Sequence, residues 1–233
     1  VSITGVKVVG GTEAVSVFGP SMDTKVDTLT ITNSVFEGQA NGAVIVDLQR
    51  AGSNLNMLTV DNVQISQDNT VASDSAKHQG IVAWGFDGNA DIREVTIEGD
   101  VGATAANNSP YYGILLQGST DAFAPEGGIA AGTVTLRDVT MTGAFAKSAV
   151  GIYNFTDISG VSGSGVDVSA TSSEWGQAVT VSGVDGSYDA SNFGLVLGSN
   201  YTQMGVDAGA ASDNSLTGSA GADILYDSVS GND

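Results

Sequence analysis

A phrase that keeps returning constrains this chain more than any other feature. Eight residues alternate apolar and polar, break at a small or polar residue, and alternate again. The phrase reads Val1–Val8, Leu29–Phe36, Leu58–Ile65, Ala90–Ile97 and Val134–Met141, with a weaker copy from Val166 to Ser173. Successive copies begin 28, 29, 32, 44 and 32 residues apart. Between them lies a second phrase, a small residue followed by a short apolar strand: Ala14–Phe18, Ala43–Asp47, Gly80–Trp84, Gly113–Gln117 and Gly151–Phe155, continued by Ala178–Val181 and Gly194–Leu197. The unit is therefore strand, turn, strand, loop. A unit this small cannot bury its own apolar face and must stack on copies of itself.

The residue at the break is Gly5, Asn33, Asn62, Glu94 or Asp138. Asn and Gly tolerate left-handed backbone geometry, so this position suits a bend from one sheet to the next. The 32 glycines and 3 prolines, with many Val, Thr and Ser in the strands, favour β structure with tight corners. The variable stretches 99–111 and 119–132 read as loops leaving the stack. This pattern resembles the right-handed parallel β-helix, the fold of pectin and pectate lyases, alginate epimerases and many adhesins. The resemblance covers about the first 200 residues and sets a first domain at 1–205. A β-sandwich with hairpins stays open, because Asn41-Gly42, Asp87-Gly88 and Asp185-Gly186 are hairpin-turn dipeptides.

Stacking assigns faces, since side chains alternate along a strand. In the second phrase the inward column is Val15, Val44, Ile81, Ile114, Ile152, Val179 and Leu195. The outward column is Ser16, Ile45, Val82, Leu115, Tyr153, Thr180 and Val196, followed by Phe18, Asp47, Trp84, Gln117 and Phe155. The outer stripe is thus largely apolar and aromatic, and Phe18, Asp47, Trp84, Gln117, Tyr153 and Phe155 are the candidate ligand or interface residues. Three explanations follow, in this order: a cover from absent parts of the chain or another subunit, sugar stacking on Trp84, Tyr153 and Phe155, or a register displaced by one residue.

The resemblance implies chemistry on acidic sugars, which needs a cation to neutralise a uronate and a base to take its proton. On the outer stripe only Asp47 qualifies. His78, the one histidine, follows Lys77 in an expected loop, where a solvated pair is the ordinary reading. Arg93 and Arg137 share a slot in adjacent copies and are each followed by an acid, Glu94 and Asp138, which reads as a solvated, partly paired face.

Composition narrows the partners. The chain has 26 acidic and 7 basic residues, a net charge of −19, with no Lys/Arg cluster for a nucleic-acid backbone. An anionic membrane surface would repel it, and no apolar run is long enough to span a bilayer. Calcium is the natural partner of so much carboxylate, although acidity also simply keeps a β protein soluble. With no cysteine there are no disulfides and no thiolate sites. The sequence opens in the strand-like Val1–Thr4 and ends inside a repeat, so it reads as a fragment, and the lack of a targeting signal carries no information.

From residue 206 the composition shifts to Gly, Ala, Ser and Asp and the period becomes nine: Gly209–Thr217, Gly218–Tyr226 and a shortened Asp227–Asp233. Gly218, Gly221, Asp223 and Leu225 of the middle unit resemble the RTX (hemolysin-type) calcium-binding nonapeptide, Gly-Gly-x-Gly-x-Asp-x-hydrophobic-x. Glycines permit turns whose carbonyls face an ion and the aspartate adds carboxylate oxygen, so Gly218, Gly221, Asp223 and Asp233 are the metal candidates. Asp233 lies ten residues after Asp223, one out of step, and Ser219 and Asn214 depart from the pattern. An acidic glycine-rich linker is the alternative. The resemblance implies a Gram-negative protein exported by type I secretion, its β-helix running into the start of an RTX β-roll at 206–233. The expectation is a secreted, calcium-binding, non-enzymatic surface module, adhesive or assembly-forming, whose partners are calcium, itself or another protein surface, with polysaccharide as a further candidate. A polysaccharide-acting enzyme, a uronate lyase or mannuronan C5-epimerase, is the alternative.

Overall fold

The computed structural model describes residues 1–19, 24–48, 53–66, 79–86, 88–99, 112–118, 132–145, 148–155, 161–168, 171–172, 179–183, 188–189, 193–197, 204–207, 216–217 and 224–226. Among these there is no helix, and every strand pairing is parallel. Hairpins require antiparallel neighbours, so the sandwich alternative falls and the chain is a parallel β-solenoid.

Two long sheets carry the solenoid. Sheet A holds β1 (Ser2–Thr4) and β2 (Lys7–Val9), both on β4 (Lys25–Glu37), then β6 (Asn54–Ser66), β8 (Asn89–Glu98), β10 (Val134–Thr142), β13 (Val161–Val168) and β17 (Phe193–Leu197). Sheet B holds β3 (Glu13–Phe18), β5 (Gly42–Asp47), β7 (Gln79–Trp84), β9 (Tyr112–Gln117), β12 (Ser148–Phe155), β15 (Val179–Gly183), β18 (Met204–Asp207) and β20 (Ile224–Tyr226). Two short pairs lie apart: β11 (Ala144–Phe145) with β14 (Thr171–Ser172), and β16 (Tyr188–Asp189) with β19 (Leu216–Thr217).

The two phrases are the two sheets, with three corrections of detail. The weak copy of the first phrase begins at Val161, paired with Val134, and not at Val166. The sequence of that strand, Val-Ser-Gly-Ser-Gly, hides its apolar period behind two glycines. In β12, Val150 and not Ile152 sits beside Ile114; Ile152 pairs with Leu116. The small residue of that coil is Ala149, not Gly151. Finally, Leu195 pairs with Val166, so Gly194–Leu197 belongs to sheet A, and Met204–Asp207 continues sheet B beside β15.

The break position does bend the chain, but inside sheet A and not between sheets: β4, β6, β8 and β10 each run through it. Asn33, Asn62, Glu94 and Asp138 all have φ 52°, and Gly5 (φ 68°) and Gly165 (φ 63°) occupy the same column. One left-handed residue per coil turns the strand without breaking its pairing on either side, as the register from Asp61↔Arg93 to Val63↔Val95 shows. Asn62 also donates its amide to the Asn33 side chain at 2.7 Å, so the corner stacks outside as well as in.

Between the sheets the inward columns stack in register. Ile31, Val60, Ile92 and Leu136 form one column and Phe36, Ile65, Ile97, Met141 and Val168 another, facing Val44, Ile81, Ile114 and Val150 of sheet B. These belong to one continuous core and are almost wholly buried. The small residue that opens the second phrase has a steric cause. A Cβ on Gly80 would overlap the carbonyl of Gly113 and meet Ile97 Cδ1 at 3.2 Å. The single polar group placed inward in that part of sheet A, Ser34, is satisfied: its hydroxyl donates to the Thr32 carbonyl (2.8 Å) and accepts from Val6 N–H (3.2 Å).

Candidate functional site

On the outside of sheet B the stacking brings the predicted stripe together. Phe18, Asp47, Trp84, Gln117 and Tyr153 are successive register partners and form one row across five strands. Phe155 does not join them; it pairs with Gly183 beyond a register irregularity. From Val15 to Leu115 the inward and outward assignment holds: Val15, Val44, Ile81 and Ile114 lie in the core, whereas Ile45, Val82, Tyr112 and Leu115 form a second apolar cluster, separate from it, with Trp84 packed on it.

That second cluster is closed. Val82 is 0% exposed although it points away from the core, and Ile45 and Leu115 are each 4% exposed. Ile45, Val82 and Leu115 are register neighbours on β5, β7 and β9. Trp84 itself is half-buried against this cluster. Among the described residues its first coil is the open one: Phe18 is 60% exposed and Ser16, in the column of Val82, is exposed. Asp47 and Gln117 are half-buried at the edge of the cluster.

The outside of sheet A is polar and carries the cations. Arg93 is clamped between coils: it donates to Asp61 on the preceding strand at 2.8 Å and to Asp91 of its own strand at 3.3 Å. Arg137 reaches back to Asp91 at 3.2 Å. The arginines thus pair with Asp61 and Asp91, not with the adjacent Glu94 and Asp138, which the left-handed corner turns elsewhere. The hydrogen bond to Asp61, followed by the charges of Asp61 and Asp91, raises the Arg93 pKa above its ordinary value. The two arginines and two aspartates of this ladder carry no net charge. Among the described residues no three His, Asp or Glu side chains converge as a metal site. Gly218, Gly221, Asp223 and Asp233, with Lys77 and His78, lie outside the described residues.

Sequence reasoning missed a groove on sheet A. Beside the ion-pair ladder, on the second half of the sheet A strands, a cavity of about 790 Å³ crosses four coils. Its outer column is Val9, Glu37, Ser66 and Glu98, and the next column is Val35, Gln64 and Thr96. Lys7 donates to Glu37 at 2.9 Å, and Ser66 donates to Glu98 at 3.3 Å. The signal was available: Val9, Glu37, Ser66, Glu98 and Thr142 each stand one residue past an eight-residue phrase. Extending the phrase by one position would have lined them up. No family model, no curated protein and no solved structure matches this chain.

Proposed function

We propose that this chain is a non-enzymatic recognition or assembly module of an extracellular protein, its solenoid presenting a long, rigid, acidic outer surface. The observation that carries this reading is the neutralised arginine ladder. A lyase or epimerase acting on uronates uses free positive charge beside a base, and here Arg93 and Arg137 are paired with Asp61 and Asp91. The nonapeptide-like segment from Gly209 supports calcium as the ion that would stabilise the C-terminal end, with Asp223 as the first ligand. The net charge of −19 agrees with a folded state that forms where calcium is plentiful.

The reading is tested by incubating the protein with alginate and with pectate, following unsaturated-product absorbance and the uronate NMR signals. Neither substrate is expected to change. Turnover that disappears with Asp47→Asn or His78→Ala would replace this reading with the polysaccharide lyase or epimerase alternative. Sedimentation with and without calcium addresses assembly, for which a strictly monomeric rod under both conditions counts against self-association.

A further inference from the structure

The groove along the outside of sheet A has the length, the charge and the repeat of a site for an extended chain. It runs parallel to the solenoid axis, because its lining comes from four successive coils, β2, β4, β6 and β8. Glu37 and Glu98 stand in one column with Ser66 between them, two coils apart. Adjacent strands are 4.7–4.9 Å apart, which puts the two carboxylates at backbone positions separated by about 9.6 Å. Neither is locked away. The Lys7–Glu37 pair is a surface ion pair with side chains 59% and 39% exposed, of the kind that contributes little and exchanges readily. Glu98 takes only the long hydrogen bond from Ser66.

An anionic ligand is repelled here. A polyproline II helix rises 3.1 Å per residue with three residues per turn, so every third side chain points the same way at intervals of about 9.3 Å. Its backbone carbonyls make no internal hydrogen bonds and remain free for donors such as Gln64 and Thr96. We propose that this groove binds an extended peptide in polyproline II conformation with a basic residue at every third position. Successive cations meet Glu37 and Glu98, and the intervening apolar residues lie on Val9 and Val35. The proposal rests on reading the chain as a recognition module; it adds the site and the class of partner.

The test uses labelled synthetic peptides and fluorescence anisotropy at moderate salt. A Lys-Pro-Pro repeat is expected to bind more tightly than a Lys-Pro-Pro-Pro repeat of equal charge, whose lysines fall about 12.4 Å apart and out of step with the coils. A Glu-Pro-Pro repeat should not bind. Glu98→Gln should weaken the first peptide by about two- to five-fold, the range of one exposed ion pair. Asp27→Asn removes the same charge at the far end of β4, outside the groove, and should leave binding unchanged. Equal affinity for the two lysine peptides, equal loss in both variants, or no binding at all would overturn the proposal. If the peptide fails while uronates stay untouched, the groove assignment falls and the non-enzymatic reading stands; turnover of a uronate would remove the latter separately.

Discussion

Replacing Val82 with aspartate separates a closed outer stripe from an open one. Val82 points away from the solenoid core, between Ile45 and Leu115 of the neighbouring strands, yet is 0% exposed. Its backbone is held in register on both sides, so the strand cannot rotate the new carboxylate out to water without losing its pairing. Truncation alone, Val82→Ala, removes two methyl groups' worth of burial and should cost about 1–3 kcal/mol. Val82→Asp adds an uncompensated buried charge, and the expected cost rises to about 3–5 kcal/mol. Ser16 is the internal control, since it occupies the same outward column in the first coil but is exposed. Ser16→Asp should change stability by no more than about 0.5 kcal/mol. Urea unfolding followed by circular dichroism, with the slope checked for constancy, measures all three. A Val82→Asp protein within about 0.5 kcal/mol of the parent would refute the reasoning, because only a solvated stripe tolerates that charge.

Other expectations follow from the corner, the glycines and the C-terminal repeat. Glu94 holds a left-handed conformation that its side chain disfavours, so Glu94→Gly should be neutral or stabilising by up to about 1 kcal/mol. Glu94→Val should instead lose about 1–2 kcal/mol in the same unfolding assay. Gly80→Ala drives a methyl group into the Gly113 carbonyl, and a loss of at least about 1–3 kcal/mol is expected. A melting temperature unchanged by that substitution would contradict the close coil spacing. If calcium binds the nonapeptide segment, adding it should raise the melting temperature, and Asp223→Asn should shrink that rise; an equal rise in both proteins would exclude Asp223 as a ligand.

How much was legible can be judged residue by residue. The first phrase was exposed by strict alternation in Leu29–Phe36 and Leu58–Ile65, where one face is fully buried and sequence must obey a period of two. The same logic failed at Val161–Val168, where glycines at 163 and 165 erase the apolar signal and only pairing with β10 sets the register. It failed again at β12, because Ala149 and Gly151 are both small and either one fits the start of the phrase. Side-chain direction was readable on sheet B, but the burial of Ile45, Val82 and Leu115 was not. Exposure of an outward Val depends on what packs around it, and alternation carries no information about that.

Sequence alone determined that the chain stacks in coils and, for the coils from Val1 to Met141, which residues point inward and which residue turns left-handed, since each of these is a local constraint repeated from coil to coil. Tertiary structure decided the rest. Partners for Arg93 and Arg137 came from strands 32 and 46 residues away. The groove arose from Glu37, Ser66 and Glu98, which are remote along the chain and adjacent only because parallel strands stack. The recurring phrase sets the distance between coils, and that distance sets which side chains meet.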